Sequence, residues 1–174
     1  MSARGTRATD ELARAGVPFR VHEYEAPERH GLERDARPAY GMDAAVALGV
    51  APDRLFKTLV AMVDGRLSVA IVPVAAEVDL KRLADALGGR RATMADPAEA
   101  ERATGYVVGG ISPIGQRRRL PAALDASAAE LPTILVSAGR RGLQVELSAT
   151  DLARVIGAVI APIARPARPT ADRD

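Results

Sequence analysis

The residues that could carry chemistry gather in three places. Segment 109–121 reads GGISPIGQRRRLP. Its Gly109-Gly110 pair tolerates positive φ and close approach, so it forms either a plain tight turn or a nest of bare N–H groups suited to a carbonyl or phosphate oxygen. Arg117, Arg118 and Arg119 follow, and Arg140 and Arg141 stand in a second turn. These are either solvated loops or a patch that neutralises phosphates. The third place is Lys57. The chain carries 22 Arg and only two Lys, and Lys57 lies among Leu55, Phe56, Leu59 and Val60, where an ammonium costs desolvation unless it faces a cavity or reaches water along its stem. The other lysine, Lys81, reads as a solvated charge on a helix face.

Much chemistry is excluded. There is no cysteine, so there is no disulfide scaffold, thiolate nucleophile or Cys-ligated metal. The two histidines, His22 and His30, are too few for a multi-His metal cluster, and no metal or cofactor is expected. Ser112 and Ser137 have no evident activating base, and no GxSxG elbow is present. Two Phe, three Tyr and no Trp leave no stacking platform for bases, so any nucleic acid is held by its backbone. The net charge of +2 attracts a polyanion only through a local patch. The N-terminus has no apolar signal region and no run is long enough to span a bilayer, which predicts a cytoplasmic protein without a membrane partner.

Around these residues, periodicity predicts a helix over 6–16 capped by Thr9 or Asp10, and a strand over 19–24. Residues 26–39 have loop composition. A helix over 42–48 precedes two β-rich runs, 55–63 and 66–74, which flank Asp64-Gly65, a strong hairpin signal. Next come a helix over 78–87, a strand over 90–94, and a helix over 96–104 with Asp96 as cap and Pro97 in first position. Strands at 133–139 and 143–147, a helix at 148–157 capped by Ser148, and a strand at 158–164 complete the pattern. The reading is one α+β domain over 6–164, with a curled, mixed, mainly antiparallel, barrel-like sheet and surrounding helices. Residues 1–5 are a flexible N-terminus, and 165–174 a disordered tail.

Three motifs in order, Phe56-Lys57-Thr58-Leu59, then TGYVVGGISPIGQ over 104–116, then VSAGRRGL over 136–143, resemble the YbaK family of aminoacyl-tRNA deacylases. These are free-standing relatives of the editing domain of bacterial prolyl-tRNA synthetase. The resemblance covers 6–164. It implies clearance of Cys-tRNA(Pro), in which the substrate's own thiol attacks its ester and leaves as a thiolactone, so no protein nucleophile is needed. It implies that Lys57, Gly109 and Gly110 serve catalysis. Tyr24, Tyr40, Thr58, Ile111, Ser112, Pro113, Ser137 and Gly139 would line the substrate pocket, and the five arginines named above would hold the tRNA backbone. The implied partners are mischarged tRNA(Pro) and prolyl-tRNA synthetase. Three departures stand out: a longer 26–39 segment, Tyr40 where Phe is frequent, and Gln144 where Asp is frequent. Alternatives are a deacylase for another small aminoacyl group such as Ala-tRNA(Pro), or a non-catalytic tRNA- or synthetase-binding module.

Overall fold

The computed structural model describes residues 5–26 and 40–167. The long loop expected over 26–39 and the chain ends therefore lie almost wholly outside the described residues. Among the described residues, five α-helices, α1 (Arg7–Arg14), α2 (Tyr40–Leu48), α3 (Leu80–Ala86), α4 (Pro97–Thr104) and α5 (Ala149–Ile156), surround ten strands. The strands are β1 (Arg20–Glu23), β2 (Phe56–Val63), β3 (Arg66–Pro73), β4 (Ala76–Val78), β5 (Ala92–Met94), β6 (Ala122–Asp125), β7 (Ile134–Ser137), β8 (Leu143–Leu147), β9 (Val159–Ala161) and β10 (Ala164–Pro166). They form a five-stranded mixed sheet in the order β5-β2-β3-β6-β9, a three-stranded antiparallel sheet β1-β8-β7, and a β4–β10 pair. The single-domain α+β architecture is the one the sequence implies.

The β2–β3 hairpin turns at Asp64 and Gly65, whose φ values of 48° and 80° fit the mirror-image turn that an Asp-Gly pair favours. Strand β6 was not anticipated. Its four residues are all buried, and it pairs in parallel with β3 and β9, so it has no polar alternation to announce it. The cap of α1 also differs from expectation. Thr6, not Thr9 or Asp10, is the N-cap, and Thr9 returns the bond to the Thr6 amide in a capping box. Asp79 caps α3 one residue beyond β4, so the helix expected to start at 78 starts at 80. Strand β10 includes Arg165 and Pro166, which the sequence reading assigned to the tail; it pairs antiparallel with β4.

Asp125 ties β6 to this last segment. Its carboxylate accepts the Ile163 and Ala164 amides, both at 2.9 Å, and the Ser127 hydroxyl at 2.5 Å. Burial pushes its pKa up, but the hydrogen bonds from Ser127, Ala164 and Ile163 outweigh that and hold it below the usual carboxylate value.

The largest apolar cluster lies between one face of the β2–β3 hairpin, the inner face of β7 and β8, and helices α1 and α5; it includes Phe56, Ile71, Ile134, Val136, Val145 and Leu152. The two larger sheets meet at one seam. Leu55 and Leu135 form a parallel bridge, and the Leu135 amide donates to the Arg54 carbonyl at 3.0 Å.

Candidate functional site

Alternation along β2 places Leu55, Lys57, Leu59, Ala61 and Val63 on one face and Phe56, Thr58 and Val60 on the other. On the lysine's face, Leu55 packs with Ala44, Ala45, Val74 and Leu135, while Ala61 and Val63 pack with Val72, Val78 and Leu83. Half-buried Lys57 thus stands where two apolar clusters meet. Thr58 takes the opposite face, opposite Ile71, so its side chain backs the strand instead of standing beside the ammonium. Its Oγ1 is buried without a hydrogen-bond partner among the described residues.

The seam carries this face across to the second sheet. Two residues beyond the Leu55–Leu135 bridge on each strand come Lys57 and Ser137. Ser137 is paired across β8 with Gln144, and Gln144 across β1 with His22, so these three share the face opposite the apolar side of the sheet. Tyr24 follows His22 at the same parity and packs against the Leu55–Leu135 cluster. Its amide donates to the Gly142 carbonyl at 3.0 Å.

Gln144 is 7% exposed, yet its Oε1 has no partner among the described residues. Such an atom costs free energy unless something donates to it. The motif had given no role to this residue. The signal was present in LQVEL, whose alternation sends Gln144 and Glu146 to the same face as Ser137.

Beside it, Glu146 gathers a charged network. It accepts from Thr133 Oγ1 at 2.6 Å and from Arg54 Nη2 at 3.3 Å, and lies 2.8 Å from His22 Nε2. The Thr133 and His22 hydrogen bonds hold its carboxyl below the usual range.

The glycine segment meets the turn between β7 and β8. Helix α4 ends at Gly105 with φ 79°, and Gly109 takes φ 93°. The Gly110 amide donates to the Val107 carbonyl at 2.9 Å, so it is spent within the turn. The amides of Gly109 and Ile111 make no hydrogen bond among the described residues.

Buried Ser112 braces the next turn by accepting from the Ile114 amide at 3.2 Å, and its carbonyl accepts from Gln116 Nε2 at 2.9 Å. The buried Pro113 lies between these bonds. Behind the loop, Tyr106 donates its hydroxyl to the Ile114 carbonyl at 2.7 Å. Arg7 lies 5.0 Å over the Tyr106 ring and donates to the Thr104 carbonyl at 3.0 Å.

The loop is clasped to the β7–β8 turn. A methyl group at Gly110 would meet Arg140 Cα and Arg141 N at 3.0 Å each, and one at Gly139 would meet Tyr106 Cε1 at 2.7 Å. Arg141 Nη2 donates to the Val108 carbonyl at 2.9 Å, the Gly139 amide donates to Ser137 Oγ at 3.3 Å, and Arg140 pairs with Glu23 at 3.6 Å.

The structure therefore draws Gly110, Ser137, Gly139, Arg140 and Arg141 together, with Tyr24 bonded to the same turn. Tyr40 opens α2, whose Gly41 lies so close to Val74 that an added methyl would sit 2.4 Å from Cγ1. Arg117 and Arg118 are placed differently: their amides donate to the Thr104 and Ala103 carbonyls, strapping the exposed run to the end of α4. Among the described residues no helix is long and apolar enough to cross a membrane, and no cluster of three metal-ligating side chains occurs.

Residues 37–155 match the family described as the aminoacyl-tRNA editing domain. The chain is 36% identical over 144 residues to an Enterococcus faecalis protein named "Putative Cys-tRNA(Pro)/Cys-tRNA(Cys) deacylase EbsC", covering 82% of this chain and 83% of that one. It is 30% identical over 149 residues to the Escherichia coli multifunctional Ser/Thr-tRNA deacylase ProXp-y, covering 83% of each. A solved structure described as "a putative trans-editing enzyme for prolyl tRNA synthetase" superposes with TM-score 0.75 at 25% identity, over 95% of this chain and 99% of that one.

Proposed function

Since the chain belongs to the aminoacyl-tRNA editing family, we propose that this aminoacyl-tRNA deacylase clears Cys-tRNA(Pro) in trans. The observation that carries the reading is the seam that brings Lys57 level with Ser137, at the turn that clasps the glycine loop. On this reading the aminoacyl ester lies between Lys57 and the loop. The free amides of Gly109 and Ile111 donate to the carbonyl oxygen as negative charge builds there, and the Lys57 ammonium stabilises the same charge. Gly110 instead supplies the close fit between the two turns. Ser112 and Pro113 fix the loop, while Tyr24, Ser137, Gly139 and the unpartnered Oε1 of Gln144 wall the side-chain pocket. The resemblance gives Tyr40 the place of the aromatic at its mouth, and Thr58 supports Lys57 from behind.

The substrate's thiolate sulfur attacks its own ester carbon, the bond to the ribose oxygen breaks, and that oxygen takes up a proton as the thiolactone leaves. Chain residues supply position and charge only, which suffices for large accelerations when geometry is held. Arg140 and Arg141 neutralise phosphate near the 3′ end. Prolyl-tRNA synthetase is the partner that would present the tRNA.

The test is a deacylation panel with Cys-, Ala-, Ser- and Pro-charged tRNA(Pro). The expected result is preference for the Cys ester and a loss of about 100-fold or more in Lys57→Ala with the fold retained. Full turnover in that variant removes the assigned role. Preference for the Ala or Ser ester overturns the thiol mechanism and leaves a hydrolytic deacylase. Absence of turnover on every ester favours a binding module.

A further inference from the structure

Away from the ester chamber, a groove of about 380 Å³ is lined by Arg66, Arg102 and Arg118, with Glu99 beside them. A second groove of about 270 Å³, sharing Arg118, is lined by Arg117, Arg119 and Glu11. Five arginines from the hairpin, from α4 and from the segment after the glycine loop thus converge against two glutamates. The local excess of positive charge is larger than the +2 of the whole chain. None of the five arginines forms an ion pair among the described residues, whereas Arg54, Arg82, Arg154 and Arg165 each do.

Arg66 is paired with Val63 at the far end of β2 from Lys57, about 20 Å away at roughly 3.3 Å per strand residue. Met62 and Leu67, which also line the first groove, lie on the hairpin face opposite the lysine. An aminoacyl adenosine held at Lys57 cannot reach this groove. Between the two places basic groups continue: Arg141 is bonded to Val108 on the loop, and Arg117 and Arg118 are strapped to the end of α4 next to Arg102.

We infer that Arg102, Arg117, Arg118, Arg119 and Arg66 form a phosphate track for the double-helical body of the tRNA, remote from the ester, with Arg66 and Arg102 as its far end. The inference rests on the deacylase reading above and adds where the polyanion lies. The track reads backbone charge without sequence, because its groups are guanidinium forks and no aromatic side chain lines either groove.

The test compares Arg66→Ala/Arg102→Ala with Arg82→Ala/Arg165→Ala, which removes the same charge from the β4–β10 side. Binding of deacylated tRNA(Pro) is measured by fluorescence anisotropy across a salt series. Two lost duplex phosphate contacts make the slope of log affinity against log salt shallower by about 1.8, equivalent to roughly 60-fold weaker binding at 0.1 M salt. The control pair retains the original slope. Deacylation kcat/KM also falls several-fold more on charged tRNA than on a charged oligonucleotide ending in CCA. An unchanged slope in the track variant, as expected if the arginines face an acidic protein surface, overturns the inference, as does an equal loss in the control pair. The deacylase reading is judged apart from this, by wild-type turnover of the charged oligonucleotide and its loss in Lys57→Ala.

Discussion

Replacing Gly110 by Ala tests the clasp between the two turns. The added methyl would lie 3.0 Å from Arg140 Cα, 3.0 Å from Arg141 N and 3.1 Å from Arg140 C. All three are main-chain atoms, so no side chain can swing aside. The Arg141–Val108 and Gly139–Ser137 hydrogen bonds hold the same turn in place. Relief requires the turns to part by a few tenths of an ångström, and overpacking of this kind costs about 1–2 kcal/mol. In a chain of 174 residues that lowers Tm by about 2–8 °C.

The effect on chemistry is larger than the effect on folding. Displacements near 1 Å in a positioned site cost about 100-fold, so a fraction of that displacement costs about tenfold in kcat/KM. The assay is single-turnover deacylation of Cys-tRNA(Pro) alongside a thermal melt. A Gly110→Ala protein with wild-type Tm and turnover would show that the loop and the turn are not in contact, and the chamber described above would not exist.

Gly139→Ala should be worse than Gly110→Ala in both measurements, because it adds a positive-φ penalty at 105° to a 2.7 Å approach to the Tyr106 ring. Tyr106→Phe leaves the Ile114 carbonyl without its buried donor and should cost about 1–3 kcal/mol in denaturant melts; an unchanged midpoint would remove this bond from the loop's support. Acid sensitivity follows from Glu146 and Asp125, whose folded pKa values lie below the unfolded ones. Their contribution is complete above about pH 4.5 and is lost as pH falls through the lower folded values. Glu146→Gln should therefore flatten part of the stability loss below that pH, and an identical acid limb would contradict the network's role.

The parts of the fold legible in the sequence are those set by local chemistry. Asp64-Gly65, Pro97 after Asp96, and Ser148 before α5 each act within a turn, and each stands where the pattern put it, although Asp96 makes no side-chain cap bond. Buried β6 and the three-residue strands β4 and β10 show no period to read; neighbours distant in sequence define them. The site divides in the same way. Lys57 stood out as a charge in an apolar run, and the glycines as a flexible pair. That Thr58 would turn from the lysine followed from alternation once β2 was fixed. That Gly110 would spend its amide inside its own turn, or that Gln144 would lie buried opposite Ser137, needed the pairing of β7 with β8 and the clasp between turns.

The seam at Leu55 and Leu135 has a consequence for biosynthesis. Its main-chain link joins Arg54 to Leu135, and the Arg54 side chain extends it to Thr133 and Glu146. Eighty residues of sequence must be translated and folded between the two halves of this stitch before either half can close. A ribosome-bound chain ending before β7 therefore has the lysine but not the opposing wall. On the deacylase reading proposed above, the Lys57 chamber is completed only once β7 has been made.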